Sequence, residues 1–222
     1  MFLKLPPPKP TIKKRDGSSY SQLNNMGNRS KNTTKTLCFF LTVSKASYNN
    51  SAGVCFSPES LVLMQDGSLK RCDEIRAGDI VHSGAVVKCV VQTMCPTQQQ
   101  ALVRLSETMR ATPWHPVYLN GKWTFPIHEG KVKNEGCTAT WNFVLSDRHE
   151  MVIGGLRCAT LGHGIVNVPG DIRSSVYWGR DVVKDLSEMP GFDKGFVTIA
   201  RPEIKRSAET QLVVKLVDVA NN

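Results

Sequence analysis

The chain has 222 residues, of which 41% are hydrophobic, 21% charged and 7% aromatic, and its formal net charge at pH 7 is +9. This composition is typical of a globular chain that buries a sizeable core, and it excludes wholesale disorder, collagen-like repeats and a multi-span membrane protein. The longest apolar run, residues 37–41, is far shorter than the roughly 20 residues that a spanning helix needs.

The positive charge is concentrated at the N-terminus. Residues 1–54 hold nine lysines and arginines and one acid, whereas residues 55–222 hold 19 basic and 18 acidic residues. The nearly neutral remainder has no zinc-finger, recognition-helix or aromatic RNA-binding pattern, so we expect no nucleic-acid partner. The basic run at 13–15 is typical of a solvated tail, with an acidic partner as the alternative. The first residues lack the apolar stretch and cleavage site of a signal peptide, so cytoplasmic localisation is the default expectation.

The N-terminal elements are weakly patterned. Residues 1–35 are rich in proline, serine, asparagine and lysine, and they predict a flexible tail. Residues 36–44 predict one strand, and residues 45–54 are turn formers.

From residue 55 onward, short apolar runs alternate with glycine-containing turns, which indicates an all-β fold built from hairpins. The strongest hairpin signal is Asp66-Gly67, and further strands are predicted at 86–91, 101–105 and 212–219. One segment differs, since Val182, Val183 and Leu186 have helical spacing. This spacing predicts a short helix over residues 179–189, before Pro190-Gly191.

The cysteines argue against a metal or disulfide framework. There are seven of them, an odd number with no CxxC pair, so we expect no metal and no cofactor. Four are interpreted as buried, reduced core residues: Cys72, Cys89, Cys95 and Cys137. Cys55 differs because it opens the apolar pattern, directly after the turn-forming segment.

The segment that Cys55 begins carries a family resemblance. Residues 55–70 read CFSPESLVLMQDGSLK and residues 75–81 read IRAGDIV. These residues resemble the opening block of Hint domains, the self-processing modules of Hedgehog proteins and inteins: Cys-Phe, an apolar strand, Asp-Gly-Ser and Gly-Asp-x-Val.

Two further blocks follow in family order. Residues 112–117, TPWHPV, resemble the Thr-x-x-His-Pro-Val motif and place His115 60 residues after Cys55. Residues 141–149, WNFVLSDRH, are similar to the terminal strand pair of the fold. The segments TLGHG at 160–164 and YWG at 177–179 resemble the Vint variant, which accompanies von Willebrand A domains.

The resemblance implies a fold and a reaction. The fold is a flattened horseshoe of twisted β-hairpins with a C-terminal extension that contains a short helix. In the reaction, Cys55 attacks the carbonyl of Val54 and converts the Val54–Cys55 amide into a thioester. His115 is the expected proton donor and Thr112 the expected hydrogen-bond partner of the same amide. The chain's own N-terminal segment is then the substrate.

Other candidate residues carry weaker signals. Asp147 and His149 are candidate helpers in thioester cleavage, with a structural histidine as the alternative. Cys158 and His163 are further candidates. The alternative for Cys158 is a core residue, and the alternative for His163 is a residue of a backbone turn. His82 and His128 fall outside the blocks and are interpreted as surface residues.

The second nucleophile is where the chain departs from inteins. Splicing inteins end in His-Asn before Cys, Ser or Thr, whereas here Leu156-Arg157-Cys158 follow Gly155. We therefore expect cleavage by water or a thiol rather than splicing, with a sterol as a minor alternative. The predicted division of the chain is a basic segment at 1–54, a Hint-type processing domain at 55–165 and a Vint-like extension at 166–222. The competing hypotheses are a Hint-derived binding module that no longer cuts and an adaptor role for the basic tail.

Overall fold

The structure is a computed structural model that describes residues 47–49, 51 and 53–220 of the chain. The tail predicted over residues 1–35 and the strand predicted over 36–44 lie outside these ranges. Within them, no helix is long and apolar enough to cross a membrane.

The described chain contains fourteen strands. They are β1 (Leu61–Leu63), β2 (Leu69–Arg71), β3 (Val87–Met94), β4 (Gln99–Ser106), β5 (Met109–Ala111), β6 (Val117–Leu119), β7 (Lys122–Thr124), β8 (Val132–Gly136), β9 (Ala139–Leu145), β10 (Glu150–Ile153), β11 (Leu156–Ala159), β12 (Phe196–Ile199), β13 (Pro202–Arg206) and β14 (Val213–Asp218). The helical elements are short: a 3₁₀ turn at Cys72–Glu74, α1 (Pro126–Glu129), a π-helical turn at Tyr177–Asp181 and α2 (Val182–Ser187).

The strands form four sheets. The largest has six antiparallel strands in the order β2-β1-β10-β11-β6-β7. Two three-stranded sheets have the orders β5-β4-β8 and β12-β3-β9, and β13 pairs with β14. The all-β prediction is confirmed.

The hairpin turns follow the predicted turn residues. β1 and β2 pair antiparallel around Asp66-Gly67, where Gly67 has a φ of 84°. β10 and β11 are joined by Gly154-Gly155, with φ values of 56° and 82°. Positive φ at both central residues is the geometry of a type I′ turn, which glycine adopts without steric cost. Local chemistry therefore sets the register of these strands.

The predicted helix is also confirmed. The chain enters it through the π-helical turn and leaves it before Pro190-Gly191. From there it returns to the body, because β12 pairs in parallel with β3, with Phe196 opposite Val90.

Two clusters of buried residues fill the interior. The first core lies among the hairpins of the body and includes Phe56, Val62, Ile75, Phe143 and Ile153. The second core joins residues from three parts of the chain. Its buried members are Tyr48, Val54, Cys89, Val91, Phe125, Val144, Leu161, Tyr177, Trp178, Val182, Leu186, Val197, Ile199, Val213 and Leu216.

The second core matters for the site because it contains two residues that precede Cys55, Tyr48 and Val54, together with residues of the C-terminal region. Residues after 165 thus pack directly against the chain that leads to Cys55. The division of the chain at 54/55 and 165/166 stays a prediction.

Candidate active site

The backbone around Cys55 is anchored by its neighbour Phe56. Phe56 exchanges both main-chain hydrogen bonds with Trp141 of β9, at 2.8 and 2.9 Å. Phe56 is fully buried and Cys55 is 7% exposed. The bond between Val54 and Cys55 is therefore held inside the protein at the start of the folded body.

Thr112, directly after β5, contacts the nitrogen side of this bond. The Cys55 N–H donates to Thr112 Oγ1 at 3.0 Å, and the Thr112 N–H donates to the Cys55 carbonyl at 2.9 Å. The Thr112 hydroxyl in turn donates to the Gly53 carbonyl at 3.3 Å. One side chain thus fixes the chain on both sides of the Val54–Cys55 bond.

His115 lies in the same turn and is fully buried. Its ring packs on Phe56 with a centroid separation of 4.0 Å, and Nε2 is 2.8 Å from the Ala159 carbonyl. A carbonyl only accepts, so Nε2 carries the proton and Nδ1 holds the free lone pair of the neutral ring. Among the described residues, Nδ1 has no hydrogen bond of good geometry.

The His115 ring rests in its neutral form. Burial lowers its pKa to about 4, against the opposing effects of the carbonyl of Ala159 and the backbone of Val54. At neutral pH, Nδ1 is therefore a proton acceptor rather than an acid.

Asn142 contacts the carbonyl side of the same bond. Its Nδ2 donates a hydrogen bond to the Val54 carbonyl oxygen, and its Oδ1 accepts from the Phe143 N–H at 2.7 Å. The Phe143 bond requires an acceptor at Oδ1, so the orientation of the amide is defined and the donor faces Val54. Asn142 is 1% exposed within the seven-residue buried strand β9.

Asn142 was missed by the sequence reasoning, although a signal for it existed. It is the one amide side chain in the run ATWNFVL at 139–145, which otherwise consists of apolar residues and a threonine. A buried amide needs partners on both its nitrogen and its oxygen, so such a residue predicts a specific polar contact.

The Cys55 thiol is protonated at rest. Burial raises its pKa to about 11, and the nearby hydroxyls of Thr140 and Thr93 offset only part of this effect. At physiological pH, the Cys55 thiol and the His115 imidazole are therefore both neutral.

A cavity of about 740 Å³ opens beside Cys55. On one side it is lined by Ser47, Ser51 and Gly53, which precede the Val54–Cys55 bond. The other walls come from residues 93–97, 99–100 and 112–114, Thr140 and residues 202–204 of β13. The cavity is large enough for a small molecule to reach the thiol.

The other predicted residues lie apart from this group. The Asp147 side chain is 66% exposed and lies 4.0 Å from Arg148. His149, in the same β9–β10 loop, has a pKa lowered by burial, and its Nδ1 has no hydrogen-bond partner within the described ranges. No hydrogen bond or ion pair of the described residues joins Asp147 or His149 to Cys55, Thr112 or His115.

Cys158 and His163 are both buried, in different surroundings. Cys158 lies on β11 in the first core, with its Sγ 3.4 Å from the Leu156 carbonyl. His163 Nδ1 accepts from the Ile165 N–H at 3.1 Å, and its Nε2 is 3.2 Å from the hydroxyl of Tyr48. His163 therefore contacts the segment before Val54 rather than the bond itself.

The described residues contain no group of three or more His, Cys, Asp or Glu side chains arranged to hold a metal ion.

Comparison with known proteins matches most of the chain to one family. The Vint family, described as a Hint domain, matches residues 54–215. No curated protein sequence matches the chain significantly.

Solved intein structures are similar over half of the chain. The crystal structure of the gp41-1 intein is 13% identical with a TM-score of 0.38, covering 49% of this chain and 99% of that one. The Ssp DnaB mini-intein variant M86 is 12% identical with a TM-score of 0.37, covering 49% of this chain and 95% of that one. A DnaB intein from Synechocystis is 12% identical with a TM-score of 0.34, covering 49% and 99%.

Proposed function

The chain belongs to the Vint family of Hint domains, and from this premise we propose that it cleaves its own Val54–Cys55 bond through an N-to-S acyl shift. The observation that carries the proposal is the set of side chains that surround this one amide. Its N–H is bound by Thr112, its carbonyl oxygen is bound by Asn142, and a buried neutral histidine lies beside it.

The first step moves one acyl group and one proton. Cys55 Sγ attacks the Val54 carbonyl carbon while the thiol proton passes to His115 Nδ1. The charge that develops on the carbonyl oxygen is stabilised by the Asn142 amide, as in an oxyanion hole. His115 then donates its proton to the Cys55 nitrogen as the C–N bond breaks. The products are a Val54 thioester on Cys55 and a free Cys55 amine.

The second step needs a nucleophile that reaches the thioester. The cavity beside Cys55 offers a route for water or a small thiol, and a sterol is the minor alternative. Attack on the thioester carbonyl breaks the C–S bond, returns the Cys55 thiol and releases residues 1–54. Asp147 and His149 are proposed as helpers of this step only, because they do not contact the amide.

A non-cleaving binding module is the second candidate. The observation in its favour is the protonation of the site, because a thiol with a raised pKa is a weak nucleophile until it loses its proton. A Hint-derived module that has lost its activity would tolerate such a thiol.

Intact-mass spectrometry of purified wild-type and Cys55→Ala chains, each with and without dithiothreitol, separates the two. Of these two chains, we expect the wild type to release residues 55–222 and Cys55→Ala to stay intact. Cys89→Ala is the matched control, since it removes another buried thiol outside the site. A wild-type chain that stays intact under both conditions supports the binding module.

A further inference from the structure

Tyr48 is buried although it lies outside the group of residues that the proposed cleavage uses. It precedes Val54 by six residues, so it belongs to the segment that the proposed reaction releases. Yet it is 1% exposed and is a member of the second core. A large side chain on a leaving segment, enclosed by the part of the chain that stays, is the arrangement of a ligand in its binding site.

Three side chains enclose Tyr48, and we call them the Tyr48 pocket: Phe125, His163 and Trp178. The Tyr48 ring packs against Phe125 with a centroid separation of 5.5 Å. The Tyr48 hydroxyl is 3.2 Å from His163 Nε2, and the Tyr48 carbonyl accepts from Trp178 Nε1 at 3.2 Å. The pocket therefore contacts the ring, the hydroxyl and the main chain of the same residue.

The hydroxyl contact has a defined direction. His163 Nδ1 accepts from the Ile165 N–H, so it carries no proton, and Nε2 carries the proton of the neutral ring. His163 Nε2 thus donates to the Tyr48 hydroxyl oxygen. A pocket that presents a donor at the position of a phenol oxygen discriminates tyrosine from phenylalanine, since phenylalanine leaves the buried donor unpaired.

The pocket is held in place by tight backbone packing. A Cβ atom on Gly179 would lie 3.1 Å from His163 Cε1 and 3.0 Å from the Ile165 carbonyl oxygen. The absence of a side chain at residue 179 therefore lets the π-helical turn, which carries Trp178, approach the loop that carries His163. Both elements lie in the region that resembles Vint specifically.

Two described residues between Tyr48 and the cleaved bond, Ser51 and Val54, also have defined contacts. The main-chain N–H of Ser51 donates to the Tyr48 carbonyl at 3.1 Å, and the Ser51 hydroxyl donates to the same carbonyl at 2.9 Å. Val54 is 4% exposed in the same core as Tyr48. Tyr48 and Val54 are thus two buried anchors that precede the amide contacted by Thr112 and Asn142.

We propose that the Tyr48 pocket is a substrate-recognition site, specific for a tyrosine six residues before Val54. Tyr48 acts as a positioning residue for the leaving segment, which also stays bound non-covalently after cleavage. This inference rests on the proposed function for its effect on rate, but the binding itself is independent of cleavage.

Two measurements on the full chain test it. The first uses the Cys55→Ala background, in which the segment stays covalently attached, and follows hydrogen exchange of the backbone amides in residues 47–54. We expect Tyr48→Ala to raise this exchange at least tenfold and Tyr48→Phe to raise it less, because the ring is kept and only the bond to His163 is lost. Tyr20→Ala is the matched control, since it removes the other tyrosine of residues 1–54.

The second measurement compares thiol-induced cleavage rates of the same variants with Cys55 intact, and it follows the two products by size-exclusion chromatography. We expect Tyr48→Ala to cleave at least tenfold more slowly, Tyr20→Ala to match the wild type, and the wild-type fragments to co-elute. Equal exchange and equal rates for Tyr48→Ala and the wild type overturn the inference. A third outcome separates the two proposals. If the wild-type chain does not cleave, but Tyr48→Ala raises the exchange of residues 47–54, the result supports the pocket and contradicts the proposed function.

Discussion

The side-chain amide of Asn142 donates a hydrogen bond to the carbonyl oxygen of Val54, the carbonyl that the proposed reaction attacks. The Phe143 N–H holds the other end of the Asn142 amide, so the donor is aimed before any charge develops. A donor that needs no reorganisation stabilises a tetrahedral intermediate better than one that must turn toward it. This relationship connects the fold of β9 directly to the chemistry at Cys55.

Removal of this donor should slow cleavage strongly. We expect Asn142→Ala to lower the rate of thiol-induced cleavage by about a hundredfold or more, the typical effect of losing one oxyanion donor. The rate is measured by intact mass over time. Asn134→Ala, on an exposed position of β8, is the control and should cleave like the wild type. An unchanged rate in Asn142→Ala would remove Asn142 from the mechanism.

The hydroxyl of Thr112 should contribute a smaller effect. Thr112→Val keeps the shape of the side chain and removes the acceptor of the Cys55 N–H and the donor to Gly53. A neutral hydrogen bond contributes about 1 kcal/mol, so we expect about a fivefold loss in cleavage rate. Thr198→Val, at an exposed hydroxyl that contacts Gln92, is the comparison. Equal rates for the two valine variants would show that Thr112 does not position the amide.

The pH dependence of the first step tests the role of His115. With a thiol pKa of about 11 and an imidazole pKa of about 4, both groups are neutral between these values. The step passes one proton from Cys55 through His115 to the leaving nitrogen, without exchange with solvent. We therefore expect the rate to be flat from pH 6 to pH 9 and to fall as the pH approaches 4, where His115 becomes protonated.

The rate is to be measured at a dithiothreitol concentration that no longer increases it, so that thioester formation is limiting. A tenfold rise per pH unit would instead mean that hydroxide removes the thiol proton, which contradicts the assigned role of His115. The variant His115→Ala should show such a rise.

The two buried histidines should also make stability depend on pH. Burial lowers the pKa of both His115 and His163 to about 4, whereas an unfolded histidine titrates near 6.5. Between these values the unfolded chain binds more protons, so the free energy of unfolding falls as the pH drops from 6.5 toward 4. The contribution is fully present above pH 6.5, and each pKa unit corresponds to about 1.4 kcal/mol per histidine.

Urea unfolding of the Cys55→Ala chain at pH 7.5 and pH 5 measures this effect. We expect a lower midpoint at pH 5, and a smaller difference between the two pH values when His163→Gln is added. The same difference with and without His163 would assign the pH dependence to other groups.

Sequence patterns predicted the parts of this fold that local chemistry determines. The turn at Asp66-Gly67 and the helix near Val182 follow from residues adjacent in the chain, since backbone preference and apolar spacing act over a few residues. The motif order likewise identified Cys55, Thr112 and His115 as candidates. The structure places all three around one amide, while their catalytic roles stay predictions.

Long-range contacts are what the sequence patterns did not predict. Tyr48 lies among turn formers, and its contacts with Phe125, His163 and Trp178, from 77 to 130 residues later, contribute to its burial. Asn142 contacts Val54 across 88 positions of the chain. No local periodicity encodes such pairs, because they arise when hairpins and the C-terminal region pack together.

The central claim, a thioester between Val54 and Cys55, is tested most directly by hydroxylamine. This nucleophile attacks thioesters and marks the released acyl group as a hydroxamate, which intact-mass spectrometry detects. The account predicts that the wild-type chain yields residues 1–54 as the hydroxamate together with residues 55–222, and that Cys55→Ala stays intact. An uncut wild-type chain, or the same fragments from Cys55→Ala, would contradict it.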